Sequence, residues 1–387
     1  MPRSPLTIVL VLSLVGCGAR TGLGIDVDGG APTARDAGSV DGGGRRDAGF
    51  FATFPCRWSL GEILSLREGE FAALTGAVHP TLDEAVVVAR DTSSSRPVGG
   101  AVSITARPEL LRGLDDPRTG DAVGTGELFT GVTGYVQQQG LGCEAVAIDV
   151  GFFEVGRADW GRRGSPSACQ LTQTRPGALQ SVSVLDFGDG SVLTVDDLDR
   201  GGFATTELTS TDERLEGAYA VHEPEHGTTL LLTRRDTQVV AERHGPRGVE
   251  RYPLADETVG ASAARENLRG GMLLLTRPVD GDWRLDWLPA DRDPPQRVID
   301  LAELPSSPAG RLVSNETEAL IPLQDGSLAY IPLALTELRI LPPTVPGTRR
   351  FEMQVILRPG GSGGGLLYTR PGRGGMQLEF QSLVCNR

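Results

Sequence analysis

Three observations predict an all-β chain: a seven-bladed β-propeller, closed by strands from both ends and preceded by a disordered tether. Short runs of β-branched residues and leucine fill residues 51–387, broken by Gly, Pro and Asp, with few helical periods among them. The runs also repeat. Ending the first strand of each of seven strand–turn–strand units gives Arg90, Gln139, Phe187, Arg234, Arg277, Leu323 and Arg370, at steps of 49, 48, 47, 43, 46 and 47 residues. That period is the length of a four-stranded propeller blade. Finally, the two ends complement each other. The last unit stops one strand short at "GGMQLEFQSLVCNR", and a spare strand, "CRWSLGEILSL", precedes the first unit. Sharing these strands in one blade would remove two open sheet edges.

Taken from the N-terminus, the chain opens with "MPRSPLTIVLVLSLVGCGAR". Arg3 gives a positive start, and Leu6 to Val15 is an apolar run too short to span a bilayer but suited to a signal peptide, here residues 1–16. "LVGC", Leu14 to Cys17, resembles the lipobox of bacterial lipoproteins. The resemblance implies cleavage before Cys17, lipidation of that cysteine and a membrane partner reached through the lipid anchor. Gly18 follows in place of an aspartate that would argue for the inner membrane, which favours the outer membrane.

Residues 17–50 are rich in Gly, Ala and Asp and have almost nothing to bury, so they are expected to form a disordered tether. As a flexible coil such a segment reaches roughly 30 Å. "DVDGG" within it lacks the later ligand positions and flanking helices of a calcium loop.

Four cysteines remain in the body: Cys56, Cys143, Cys169 and Cys385. An even number in an exported chain reads as two disulfides with three possible connectivities. The propeller reading selects one of them. Cys385 would follow the third strand of the final blade and Cys56 would open its fourth, so these two would bridge where a hairpin turn is missing. Cys143 and Cys169 would then tie the second blade to the third. No C-x-x-C pair occurs, and no metal or other cofactor is expected.

Composition excludes several chemistries. The chain carries a net charge of −13, which argues against a nucleic-acid partner. All 37 of its basic residues are arginine. Without lysine there is no Schiff-base chemistry, no Walker-type phosphate loop and no Ser-Lys dyad.

Two motifs imitate active sites. "HEPEHG", from His222 to Gly227, matches H-E-x-x-H. A zinc protease needs both histidines one turn apart on a helix, and Pro224, Gly227 and the β-rich flanks predict a hairpin turn instead. "GGSGG", from Gly360 to Gly364, matches the nucleophile elbow around Ser362, but the elbow must lead into a helix and here it leads into a strand. With only four histidines the general-base repertoire is thin, and the paired aspartates around Asp186 and Asp196 sit in turn settings.

His79 opens "HPTLDEAVVVAR", which resembles the turn leading into a strand in TolB-like propellers, and the body resembles that group in layout. In propellers the turns between second and third strands surround one mouth of the channel. Here those turns carry Arg90, Asp189, Arg234, Arg277, Asp280 and Arg370, with Asp91, Asp325 and Arg373 close by. Arginine forks so placed suit carboxylate or phosphate groups, or the acidic loop of a partner. The expected function is therefore a non-catalytic, lipid-anchored platform that binds an envelope protein or a small acidic ligand. The alternative is a propeller hydrolase or lyase whose polar residues converge at that mouth.

Overall fold

Strand follows strand through most of the described residues after Cys56. The computed structural model describes residues 56–386 except 80–81, 95, 116–120, 130–131, 140–141, 150–153, 160–167, 173–179, 188–189, 200–201, 212–218, 224, 236–237, 256–257, 267–268, 292, 316, 348–349 and 359–362, and between 114 and 218 it describes the backbone alone.

Among these residues the strands form seven four-stranded antiparallel sheets. The first holds β2 (Phe71–Val78), β3 (Glu84–Asp91), β4 (Pro97–Ser103) and β5 (Leu110–Asp115), after β1 (Arg57–Glu68). The second holds β6 (Asp121–Phe129), β7 (Val132–Gln139), β8 (Gly142–Asp149) and β9 (Glu154–Asp159); the third β10 (Ala168–Thr172), β11 (Gln180–Phe187), β12 (Gly190–Asp199) and β13 (Gly202–Thr211). The fourth holds β14 (Tyr219–Glu223), β15 (Thr228–Arg235), β16 (Gln238–Gly245) and β17 (Gly248–Ala255); the fifth β18 (Thr258–Arg265), β19 (Met272–Pro278), β20 (Arg284–Leu288) and β21 (Gln296–Asp300). The sixth holds β22 (Val313–Ser314), β23 (Glu318–Pro322), β24 (Leu328–Pro332) and β25 (Arg339–Leu341). The seventh takes β26 (Phe351–Leu357), β27 (Gly363–Pro371) and β28 (Met376–Asn386) from the C-terminus, and its fourth strand is β1.

β1 runs antiparallel to β28, with Trp58 opposite Cys385 and Glu68 opposite Gln377. The Cys56–Cys385 disulfide seals one end of this pairing, its Cα atoms 5.1 Å apart. First strands of successive sheets touch. β2 meets β6 and β26, β10 meets β6 and β14, and β18 meets β14 and β22, while β26 meets β23, the second strand of the sixth sheet.

The packing explains why the runs are solidly apolar rather than alternating. Central strands are covered on both faces, so every position wants a hydrophobe. In β3 the side chains of Val86, Val87 and Val88 are all fully buried. Val87 joins Ile356, Leu367 and Phe380 of the seventh sheet, while Val86 and Val88 face the other way. The same holds further on: Leu230 and Leu232 pack with Met272 and Leu274, and Leu273 and Leu275 pack with Ile321 and Ile331. Each such leucine contributes about 1.5–3 kcal/mol by leaving water.

Antiparallel order sorts the turns onto two edges. Turns joining first to second strands lie on one edge, here the lower rim. Turns joining second to third strands lie on the opposite edge, the upper rim. Because Glu68 sits beside the β27–β28 turn, β1 ends at the upper rim and Cys56 begins at the lower one.

Candidate functional site

The seven residues that end the first strand of each sequence unit fall at, or within one residue of, the end of the second strand of each sheet. The candidate binding residues are therefore on the upper rim, but they do not share one arrangement. Arg234 is exposed, and its Nη2 donates to the Thr258 carbonyl of the next sheet at 2.9 Å. Half-buried Arg277 donates from Nε to the Gly281 carbonyl within its own turn, at 3.4 Å, and Asp280 of that turn is exposed. Arg370 forms an ion pair with buried Glu379 at 2.6 Å. Arg90, half-buried, stands opposite Pro97 in the β3–β4 ladder. Asp189 lies outside the described residues.

Two aspartates of the rim are turn-builders. Asp91 accepts from the Ser93 backbone N–H at 2.9 Å and from the Ser93 hydroxyl at 2.6 Å. Asp325 does the same for Ser327, at 3.0 and 2.5 Å. Burial works to raise each carboxyl pKa, but these hydrogen bonds outweigh it and hold both below the ordinary aspartate value.

The H-E-x-x-H stretch is a hairpin turn. His222 lies in β14 with Nδ1 3.1 Å from the Thr229 hydroxyl, and His226 is exposed in the turn, its N–H donating to the Glu223 carbonyl at 3.1 Å. Glu223 points to the other face of the strand and is buried. It accepts from Arg265 Nη2 at 2.6 Å and from the Gly271 N–H at 2.9 Å. Gly271 has φ +96° and an added Cβ would lie 2.3 Å from the Leu288 carbonyl oxygen, so only glycine supplies that donor. The motif's glutamate therefore joins two sheets and is not placed to activate water. Ser362 lies outside the described residues.

Three polar arrangements carry no local signal in the sequence. One is the Glu223–Arg265 pair. A second is Glu318, fully buried on β23, which accepts from Trp58 Nε1 of the closing strand at 2.6 Å. Burial is the largest influence on Glu318 and raises its pKa, against the lowering effect of the Trp58 bond. The third is Arg350, whose side chain is buried against the Tyr368 ring, with the guanidinium carbon 4.2 Å from the ring centroid. Pairs of residues 18 to 260 positions apart leave no mark on hydropathy or spacing.

Cys143 and Cys169 are on β8 and β10, but their side chains lie outside the described residues, as does Cys17. Among the described residues no group of three or more His, Cys, Asp or Glu side chains is placed to hold a metal. Among these residues, too, no helix is long and apolar enough to cross a membrane.

An all-β body of four-stranded antiparallel sheets, packed face to face, defines a β-propeller, and solved structures similar to it are propellers too. An oligogalacturonate lyase from Vibrio parahaemolyticus superposes with TM-score 0.51 at 10% identity, covering 85% of this chain and 97% of its own. An oligogalacturonate lyase in complex with manganese gives TM-score 0.51 and 10% identity, covering 85% of this chain and 98% of its own. TolB from Acinetobacter baumannii reaches TM-score 0.43 at 15% identity over 81% of this chain and 79% of its own, a likeness that carries no argument. Identities this low establish the fold alone. No family model and no curated protein matches the sequence.

Proposed function

We propose that the protein is an exported, lipid-anchored propeller of seven blades, closed by strands from both termini, whose upper rim is a docking platform in the bacterial envelope. Residues 1–16 serve as the signal peptide, lipidated Cys17 and residues up to 50 as the tether, and 51–387 as the propeller. Cys143 and Cys169 form its second disulfide. The outer membrane is the favoured location, and the partner is an envelope protein or a small acidic ligand.

The observation that carries this reading is the separation of the two rims. The chain enters the body at Cys56, on the lower rim, and the Cys56–Cys385 bridge fixes it there. Exposed Arg234, Asp280 and Arg373 stand on the opposite rim, on turns held by rigid sheets. An anchor that acts on one rim leaves the other free to dock. A disulfide also suits an oxidising compartment.

Replacing Arg234 and Arg373 by glutamate, followed by cross-linking on intact cells, tests the platform. Loss of one recurrent envelope partner with the protein still folded and membrane-bound is the supporting result, and an unchanged set of partners would exclude the upper rim. Cys17→Ser is expected to release the protein from membranes or block its processing; retention would refute the anchor. The enzymatic alternative is kept open by one finding, that two similar structures are oligogalacturonate lyases. On that reading, purified protein would degrade acidic oligosaccharides and lose the activity on upper-rim substitution.

A further inference from the structure

Arg350 is among the largest fully buried side chains, with 1% of its surface exposed. It sits at the upper rim between the sixth and seventh sheets. Its backbone N–H donates to the Gln324 carbonyl at 3.0 Å, and Nη1 reaches the Gly326 carbonyl at 3.3 Å. Its plane lies over Tyr368, which supplies the electron-rich face of a ring. Gly326 has φ +86°, and a Cβ there would come within 2.8 Å of Arg350 Nε, so the turn is shaped to admit the guanidinium. Yet among the described residues buried Nη2 has no hydrogen-bond partner.

The nearby acids do not fill that vacancy. Glu379 is paired with Arg370 at 2.6 Å, and Asp325 Oδ1 is taken by the backbone and hydroxyl of Ser327. A buried cationic donor left unmade costs more than 1–3 kcal/mol, which a native fold rarely tolerates. Three further buried polar atoms on the same network, Tyr368 Oη, Arg370 Nε and Glu379 Oε2, also lack a well-aligned hydrogen bond. Burial, the largest influence on Arg350, lowers its pKa, and the opposing effects of Tyr368, Glu379 and Asp325 do not offset it.

We propose that the site between the sixth and seventh sheets holds a small monovalent anion, of chloride size, bound by Arg350 Nη2. It goes beyond the docking function and does not depend on it. The bound ion pins the seventh sheet, which carries both chain ends, to its neighbour.

The test compares thermal unfolding of the disulfide-bonded protein in sodium chloride and sodium gluconate at equal ionic strength, because gluconate is much the larger anion. Chloride is expected to raise Tm by about 3 °C and then saturate. Arg350→Gln is expected to abolish the difference. An equal Tm in the two salts, or the same chloride effect in Arg350→Gln, overturns the proposal. If that variant does not fold, crystals of the unaltered protein grown in bromide decide the matter. An anomalous peak within hydrogen-bonding reach of Nη2 supports the site, and its absence, or an ordered water there, refutes it.

Discussion

The lower and upper rims carry similar residue types and use them differently. On the lower rim, Glu223, Arg265 and Glu318 are buried, and side chains join one sheet to the next. Glu223 meets Arg265, Glu318 meets Trp58, and Arg358 reaches Asp83 at 2.6 Å and the Leu82 carbonyl at 2.7 Å. On the upper rim, Asp91, Asp325 and Arg277 bond within their own turns and Arg370 pairs within its own sheet, while Arg234, Arg284 and Arg350 each reach a backbone carbonyl of a neighbouring sheet. A charge that spans two sheets at low exposure is a structural part, and removing one partner strands the other. A charge bound within its own turn leaves the outward surface available. The contrast teaches that the more conspicuous motif, H-E-x-x-H, belongs to the structural rim.

Breaking the lower rim should cost the most stability. Removing both Cys56 and Cys385 as serines is expected to lower unfolding free energy by at most about 5–6 kcal/mol, since the bridge closes almost the whole chain. Urea denaturation with and without reductant measures it, and a loss below about 1 kcal/mol would mean that β1 holds its place without the bridge. Next comes Glu223→Ala, which leaves Arg265 buried without a counter-charge and is expected to cost about 3–5 kcal/mol. Pairing it with Arg265→Met should recover most of that in the same assay; no recovery would deny that the two act as a pair.

Trp58→Phe follows, at about 1.5–3 kcal/mol, for a hydrogen bond to a carboxylate. Its partner sharpens the comparison through pH. The folded pKa of Glu318 is raised, so its protonated form is favoured by folding. Its contribution is fully present below the unfolded value of about 4.5 and is lost as pH rises through the folded pKa. Glu318→Gln should therefore be at least as stable as the parent at neutral pH, with the gap closing below about pH 4.5. A gap that widens on acidification would reverse this assignment. Smallest is the effect of Asp280→Ala or Arg373→Ala on the upper rim, expected to move Tm by less than about 1 °C. A larger shift would place these side chains in the structural class and weaken the platform reading.

Much of the architecture could be read before any coordinates. Runs such as "EAVVVAR" and "TTLLLTRR" carry consecutive apolar residues at their centres because both faces are covered, and each ends at a polar turn, so the second strand's end is marked locally. The complementary ends placed Cys56 beside Cys385 by the same logic. The site was legible only as a list of upper-rim turn residues. Arg234 and Arg370 were found, but nothing near them told which arginine was already engaged. Arg350 was missed because it belongs to the link before β26 and not to a hairpin turn. The hairpin nature of "HEPEHG" was visible from Pro224 and Gly227, whereas the buried role of Glu223 was not.

By itself, then, the sequence determined the strands, the turns between them and the pairing of the two ends, since strand hydropathy and turn chemistry are set by residues a few positions apart. Only the tertiary structure decided which charges are spent. The worth of Glu223, Glu318 or Arg350 depends on exposure and on a partner from another sheet, and both come into being only when the sheets pack.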